Sequence, residues 1–226
     1  MLKYKLQFFG GRGSSSGGGG GLPMVEPNGG SGGGGKTPTG LDAQPGMMST
    51  TAEALGPQGK PMNVTSAVSG ANPYHDLGPE YQYNCQRCVV ATEARMRGYD
   101  TQALATFDGD TMPAGSNYLS NFNNPDMHLI RHSTPNANRR DVEAQMAQMG
   151  NGSRAIMGLE WSGGGGHVIN VVQSRGRTHY YDGQIGAEIS ASHLFNAIKR
   201  SSNIELTRVD NLSFSDTANA ALRPHV

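Results

Sequence analysis

Apolar residues between positions 84 and 98 recur at helical spacing. Val90 and Ala94 keep strict step, Ala91 and Met96 follow less strictly, and good helix formers fill Thr92 to Arg97. Asn84 is a natural cap and Gly98 a left-handed stop, so the pattern predicts a helix that opens at Cys85. A second helix is predicted over Asn138–Met149, where Val142, Met146 and Met149 share a face and Gly150 closes the run. Three strand candidates follow: Ala155–Trp161, His167–Gln173 and Thr178–Tyr181, the last two joined by Ser174-Arg175-Gly176-Arg177. A short helix near Ala191–Lys199 and a strand near Ile204–Val209 complete the series. Residues 105–125 read as a long surface loop, and residues from about 211 as a loose tail. A helix followed by an antiparallel sheet makes the fold class α+β.

Composition restricts this picture to part of the chain. Glycine fills 18 of the first 60 positions, and little apolar surface accompanies it, so residues 1–62 are expected to be a flexible leader and tether, disordered and without a fold of their own. Residues 63–210 are expected to form the folded domain and 211–226 a C-terminal tail. Lys and Arg number 18 against 18 Asp and Glu, which leaves no basic footprint for nucleic acid. No stretch is apolar enough to span a membrane, and Met1–Arg12 lacks the core of a secretory signal, so synthesis as a soluble, unexported chain is expected. Leu6–Phe9 ahead of the glycine run reads either as a plain tail or as a docking peptide.

The chemistry concentrates on two constellations. The only two cysteines, Cys85 and Cys88, stand at the mouth of the first helix, where unpaired amides and the positive end of the helix dipole favour a thiolate. Cys85 sits at the cap, whereas Cys88 lies a turn deeper among apolar residues, so Cys85 is the favoured nucleophile. The second constellation is Gly163–Gly166 before His167, with Tyr180-Tyr181-Asp182-Gly183-Gln184 on the next strand. If Arg175 and Gly176 form a two-residue loop, Asp182 falls opposite Ile169, and His167 and Asp182 become diagonal neighbours on one sheet face. The carboxylate can then fix the imidazole tautomer and leave the other nitrogen for a thiol. Two rival readings of the cysteines stay open: a dithiol redox motif, and a zinc site completed by His128 and His132. A structural disulfide between sulfurs three residues apart would close a small, strained loop.

Three blocks in order carry a resemblance: NCQRCVVATEARMRGYD, the Gly-His-Val-Ile-Asn-Val strand, and Tyr-Asp-Gly-Gln. Over roughly Asn72 to Gly186 the chain resembles the papain-fold toxin domain, the glutamine-deamidase-like branch of the papain-like cysteine fold. The resemblance implies a nucleophile-bearing helix packed on an antiparallel sheet. It also implies a Cys-His-Asp triad of Cys85, His167 and Asp182. Substrate-binding or oxyanion roles fall to Asn84, Gln86 and Gln184. Upstream of Cys85 no oxyanion side chain stands out; Gln82 and Asn84 are candidates, and a pair of backbone amides would also serve. The leader KLQFFGGRGSSSGGGG is similar to leaders of proteins encoded beside phage head-assembly genes, which implies a phage particle or delivery component as a partner.

The function expected from these features is a cysteine-dependent amidohydrolase, a protein glutamine deamidase acting as a toxin or effector. No cofactor, metal, nucleic acid or membrane is expected, and the partner is a protein bearing the target glutamine. Two alternatives remain: a papain-like cysteine protease, and a virion-associated structural or interaction protein with an inactive domain.

Overall fold

The computed structural model describes residues 47–106 and 118–225. The leader through residue 46 and the centre of the expected 105–125 loop lie outside them.

In chain order the helices are α1 (Thr51–Leu55), α2 (Val64–Ser69), α3 (Cys85–Met96), α4 (Pro135–Met149) and α5 (Ala191–Ala197). The strands are β1 (Thr101–Ala103), β2 (Met127–Ile130), β3 (Arg154–Glu160), β4 (Gly166–Ser174), β5 (Arg177–Asp182), β6 (Ala187–Ile189), β7 (Ile204–Arg208) and β8 (Leu222–Pro224). Strands β2-β7-β3-β4-β5-β6 form an antiparallel sheet in that order, and β1 pairs with β8 in a separate ribbon. The α+β class, with a cysteine-bearing helix on an antiparallel sheet, is therefore as the sequence implies. None of the described helices is long and apolar enough to cross a membrane.

Strand periodicity distributes the core over both sheet faces. Ile156 and Val168 pack with Cys88, Val89, Val90, Ala91 and Ala94 of α3. Their neighbours Met157 and Ile169 point the other way, into a cluster with Val142 and Met146 of α4 and Leu194 and Phe195 of α5. Both faces of β4 are covered, which is why its apolar residues run without alternation. Asn170 Nδ2 donates to the Val89 carbonyl at 3.1 Å and ties β4 to α3 directly.

Helix α3 also buries charge. Glu93, fully buried, accepts from Arg97 Nε at 2.7 Å and from Arg154 Nε and Nη2, both at 2.8 Å, which anchors the helix to β3. Arg87 is buried and donates to the carbonyls of Ala220 at 3.0 Å and Ala105 at 2.6 Å.

The structure departs from the expected boundaries at both ends. Thr50 and Glu53 make a reciprocal capping box that starts α1, and Ala54 is fully buried. Gly59 N–H donates to Gly98 O at 2.8 Å, so the supposed tether already packs on the end of α3. Residues 211–225 are equally built in. Ala218, Ala221 and Leu222 are fully buried, and Arg97 donates to Leu212 O and Val209 O, both at 2.6 Å. Asn219 Nδ2 reaches Met48 O at 2.9 Å, joining the two ends of the fold. The loose-tail expectation is corrected because alanines and polar residues there satisfy backbone groups and fill small gaps, neither of which produces a periodic signal. The 105–125 surface-loop expectation is corrected in part, since Tyr118, Leu119 and Phe122 are buried against α3.

Truncation after Asp210 is expected to abolish cooperative unfolding, because it strips from α3 the strand β8, the Ala220 carbonyl that Arg87 uses and the Leu212 carbonyl that Arg97 uses. A thermal melt followed by far-UV circular dichroism checks this; an unchanged transition would restore the tail reading.

Candidate active site

The β4–β5 turn decides where the site falls. Arg175 and Gly176 both take positive φ, 51° and 73°, the signature of a two-residue hairpin, and Ser174 faces Arg177. The ladder ends at Asn170 opposite Tyr181, and beyond it the same register carries Ile169 towards Asp182 and His167 towards Gln184. His167 and Asp182 meet as this register requires: His167 Nε2 lies 2.9 Å from Asp182 Oδ2. The histidine side chain is 9% exposed and the carboxylate 4%. Asp182 Oδ1 accepts the Gln184 N–H at 2.9 Å, so both carboxylate oxygens are fixed.

Gly183 lets the turn after Asp182 close onto α3. A Cβ there would strike Thr92 Oγ1 and approach the Cys88 carbonyl carbon and oxygen. The nucleophile candidate stands at the start of that helix. Cys85 is a free, partly exposed thiol, near enough to the His167 ring to add to its basicity. With Nε2 committed to Asp182, Nδ1 is the nitrogen left for sulfur. Trp161 stacks on the ring from the β3–β4 loop, with centroids 5.5 Å apart and planes inclined by 28°.

Electrostatics separate the groups. Burial alone would lower the basicity of His167, but the Asp182 charge and hydrogen bond, helped by Cys85, outweigh it and raise the ring to about 10. It therefore holds its proton at neutral pH. Burial pushes the Cys88 thiol well above its ordinary range, and the nearby Cys85 and Asp182 push it further. Cys88 is 1% exposed, and its S–H donates to Asn84 Oδ1 at 3.1 Å. That is a packing role, and Cys85 is the more accessible of the two sulfurs.

Three of the expected binding residues are placed differently from one another. Asn84 occupies the cap position but makes no side-chain cap bond. It is 1% exposed, and its amide donates to Asn72 Oδ1 at 3.2 Å and Leu104 O at 3.1 Å. An oxyanion role for its side chain is corrected, since both amide hydrogens are spent. Gln184 is 4% exposed, and its amide donates to the Gln82 carbonyl, so it ties the acid turn to the segment before Cys85. Gln86 alone keeps a free end, a buried Oε1 without a partner. Gln82 Nε2 donates to His75 O at 3.3 Å. The stronger oxyanion candidates are backbone groups. The N–H groups of Arg87 and Cys88 bond Asn84 O, whereas those of Cys85 and Gln86 have no acceptor among the described residues.

Residues 83–187 match the family described as papain fold toxin 1, glutamine deamidase. This segment is a papain-fold toxin domain. Neither a curated protein nor a solved structure matches the chain. The papain-fold match contains Cys85, His167 and Asp182, and the family is of the cysteine hydrolase type. It stops short of α1, α2, β7 and β8, which the toxin domain nevertheless uses as structural support. His132 of the zinc reading is paired with Asp141 at 2.9 Å, while His128 lies on the exposed strand β2. Among the described residues no cluster of ligands suited to a metal occurs.

The raised basicity of His167 has a defined sign for stability. The folded ring binds its proton more tightly than the unfolded one, so the contribution is complete below about pH 6.5 and is lost as pH rises towards about 10. The melting temperature is expected to fall across that window by about 5 °C or more beyond the fall seen for His167→Gln. Parallel melts at pH 7 and pH 10 check it; equal falls would contradict the buried ion pair. Gly183→Ala, which forces a Cβ into Thr92, is expected to destabilise the fold by about 1–3 kcal/mol in urea unfolding.

Proposed function

We propose that the toxin domain is a cysteine amidohydrolase that deamidates a glutamine side chain of a protein, with Cys85 as nucleophile, His167 as proton carrier and Asp182 as its orienter. One observation supports this reading above the others. A partly exposed thiol at a helix start, a ring on β4 and a carboxylate ending β5 join in one line of contacts, while the second thiol is buried and protonated.

The chemistry runs through a thiolate–imidazolium pair. The Cys85 thiolate attacks the carboxamide carbon, and the oxyanion forms against the free amides of Cys85 and Gln86. His167 passes its proton to the nitrogen, the C–N bond breaks, and ammonia leaves a thioester. Forming the thioester removes the sulfur's charge and its hydrogen bond, two of the contributions that raise the ring's basicity. The ring is left neutral, takes a proton from water, and directs hydroxide at the thioester carbon. Breaking the C–S bond releases the glutamate side chain as its carboxylic acid, which gives its proton to the departing ammonia or to water, and returns the thiolate beside a protonated ring. Asp182 holds the ring orientation throughout.

The test combines reactivity and turnover. Iodoacetamide near neutral pH is expected to label Cys85 much faster than Cys88, and His167→Ala to slow that labelling. Ammonia release from a panel of glutamine-bearing proteins is expected to fall by on the order of 1,000-fold or more in Cys85→Ala. Cys88→Ser, which keeps a donor for Asn84, is expected to retain most of it. Peptide mapping that finds glutamate without chain cleavage separates deamidation from proteolysis. Equal, slow labelling of both cysteines, or growth inhibition that survives Cys85→Ala, would overturn the reading.

A further inference from the structure

We infer that Asn72 is a positioning residue of the site, a side chain that sets the distance between the Cys85 helix start and the Asp182 turn from behind. This rests on the roles proposed for Cys85, His167 and Asp182. Asn72 lies outside the matched segment, in the connection that follows α2, and is 6% exposed. Its Nδ2 donates to Tyr81 O at 2.8 Å and Gln184 O at 3.0 Å, and lies 3.3 Å from Asn84 Oδ1. In return Asn84 Nδ2 donates to Asn72 Oδ1 at 3.2 Å.

The acceptors define the role. Tyr81 closes the short helical turn just before the cysteine segment, Asn84 immediately precedes Cys85, and Gln184 lies two residues beyond Asp182. One amide therefore bridges the two ends of the line of contacts, which stand about a hundred residues apart in the chain. It does so without touching sulfur, ring or carboxylate. Two hydrogens serve three oxygens, so removing the side chain leaves buried acceptors on both segments unanswered together. Gln184 Nε2 to Gln82 O is a second tie between the same two segments. The Asn72 loop is itself fixed from outside, since Ala103 N–H donates to the neighbouring Ala71 O at 2.8 Å. The segments are thus referred to a rigid point, and loosening it lets the thiol drift from the ring. A misplacement of about 1 Å between reacting groups costs on the order of 100-fold in rate.

A mutant cycle on the full chain tests this, with the second-order rate of Cys85 alkylation by iodoacetamide at pH 7 as the readout. Asn72→Ala is expected to slow alkylation by about tenfold, within the scale set by such misplacement. In that background His167→Ala is expected to change the rate by less than about twofold, because the sulfur no longer depends on the ring. A side chain that only stabilises the fold would leave the His167 effect at its wild-type size. Asn72→Ser, which keeps one donor, covers the case in which the alanine variant does not fold, and is expected to give the same loss of coupling at smaller amplitude. A wild type whose Cys85 rate depends on His167, alongside folded Asn72 variants that keep the full dependence, overturns the positioning role and leaves the proposed function standing. A wild type without that dependence overturns both.

Discussion

The register of the β4–β5 hairpin is the constraint on which the rest depends. A slip of one residue would send Asp182 to the opposite sheet face, and no local adjustment would return it to His167. The two positive φ angles at Arg175 and Gly176 fix that register at a point far from the chemistry. At the other end the ladder stops at Asn170 and Tyr181, and side chains take over from backbone: ring and carboxylate bond across the place where pairing has ended. β4 and β5 no longer pair with each other there, although β3 still pairs with β4 and β6 with β5, and the start of α3 lies near the ring. Gly183, lacking a Cβ, lets the following turn seat on the same helix.

Helix α3 is held by directional bonds as well as by apolar packing. Apolar contact alone tolerates sliding and rotation of a helix on a sheet. Charged side chains with defined acceptors do not, since any shift leaves a buried group unpaired, at about 3–5 kcal/mol for a broken buried pair. Glu93 binds Arg97 and Arg154, Arg95 binds Asp100, and Arg87 reaches carbonyls of two other segments. Desolvating these charges lowers the net stability they bring. What they supply is a single axial and rotational setting for the helix, and the position of Cys85 follows from it.

Much of this was legible in the sequence, in an uneven way. The 85–96 helix, β3 to β5, α5 and β7 were readable because long apolar runs and turn residues mark them. The pairing of His167 with Asp182 followed from a two-residue loop and the period of a strand. Four kinds of feature escaped. Helix α1 carried a readable capping box at Thr50 and Glu53, hidden by the surrounding glycine-rich composition. Helix α4 begins at Pro135 behind its Thr134 cap, three residues before the apolar pattern becomes visible. Strands β1, β2, β6 and β8 are three or four residues long, too short for any period to register. Asn72 escaped because its importance lies in what it touches across the fold, and an asparagine before a proline reads locally as a turn. Asn84 and Gln184 were read as binding groups for the converse reason: proximity in sequence to Cys85 and Asp182 does not reveal that their amides turn inward.

The second cysteine follows from the same network and needs no redox role. An asparagine amide can sit either way round, and only its neighbours decide which end carries the donors. At Asn84 the decision rests on the Leu104 carbonyl, which can only accept and so draws Nδ2, leaving Oδ1 to accept from the Cys88 thiol. A valine in its place would fill the same apolar gap without a donor. A disulfide with Cys85 would remove that donor and the proposed nucleophile together. A thiol that is weakly polar, small and well protonated satisfies both demands at this depth in the helix, and its raised basicity keeps it from competing with the sulfur one turn closer to solvent.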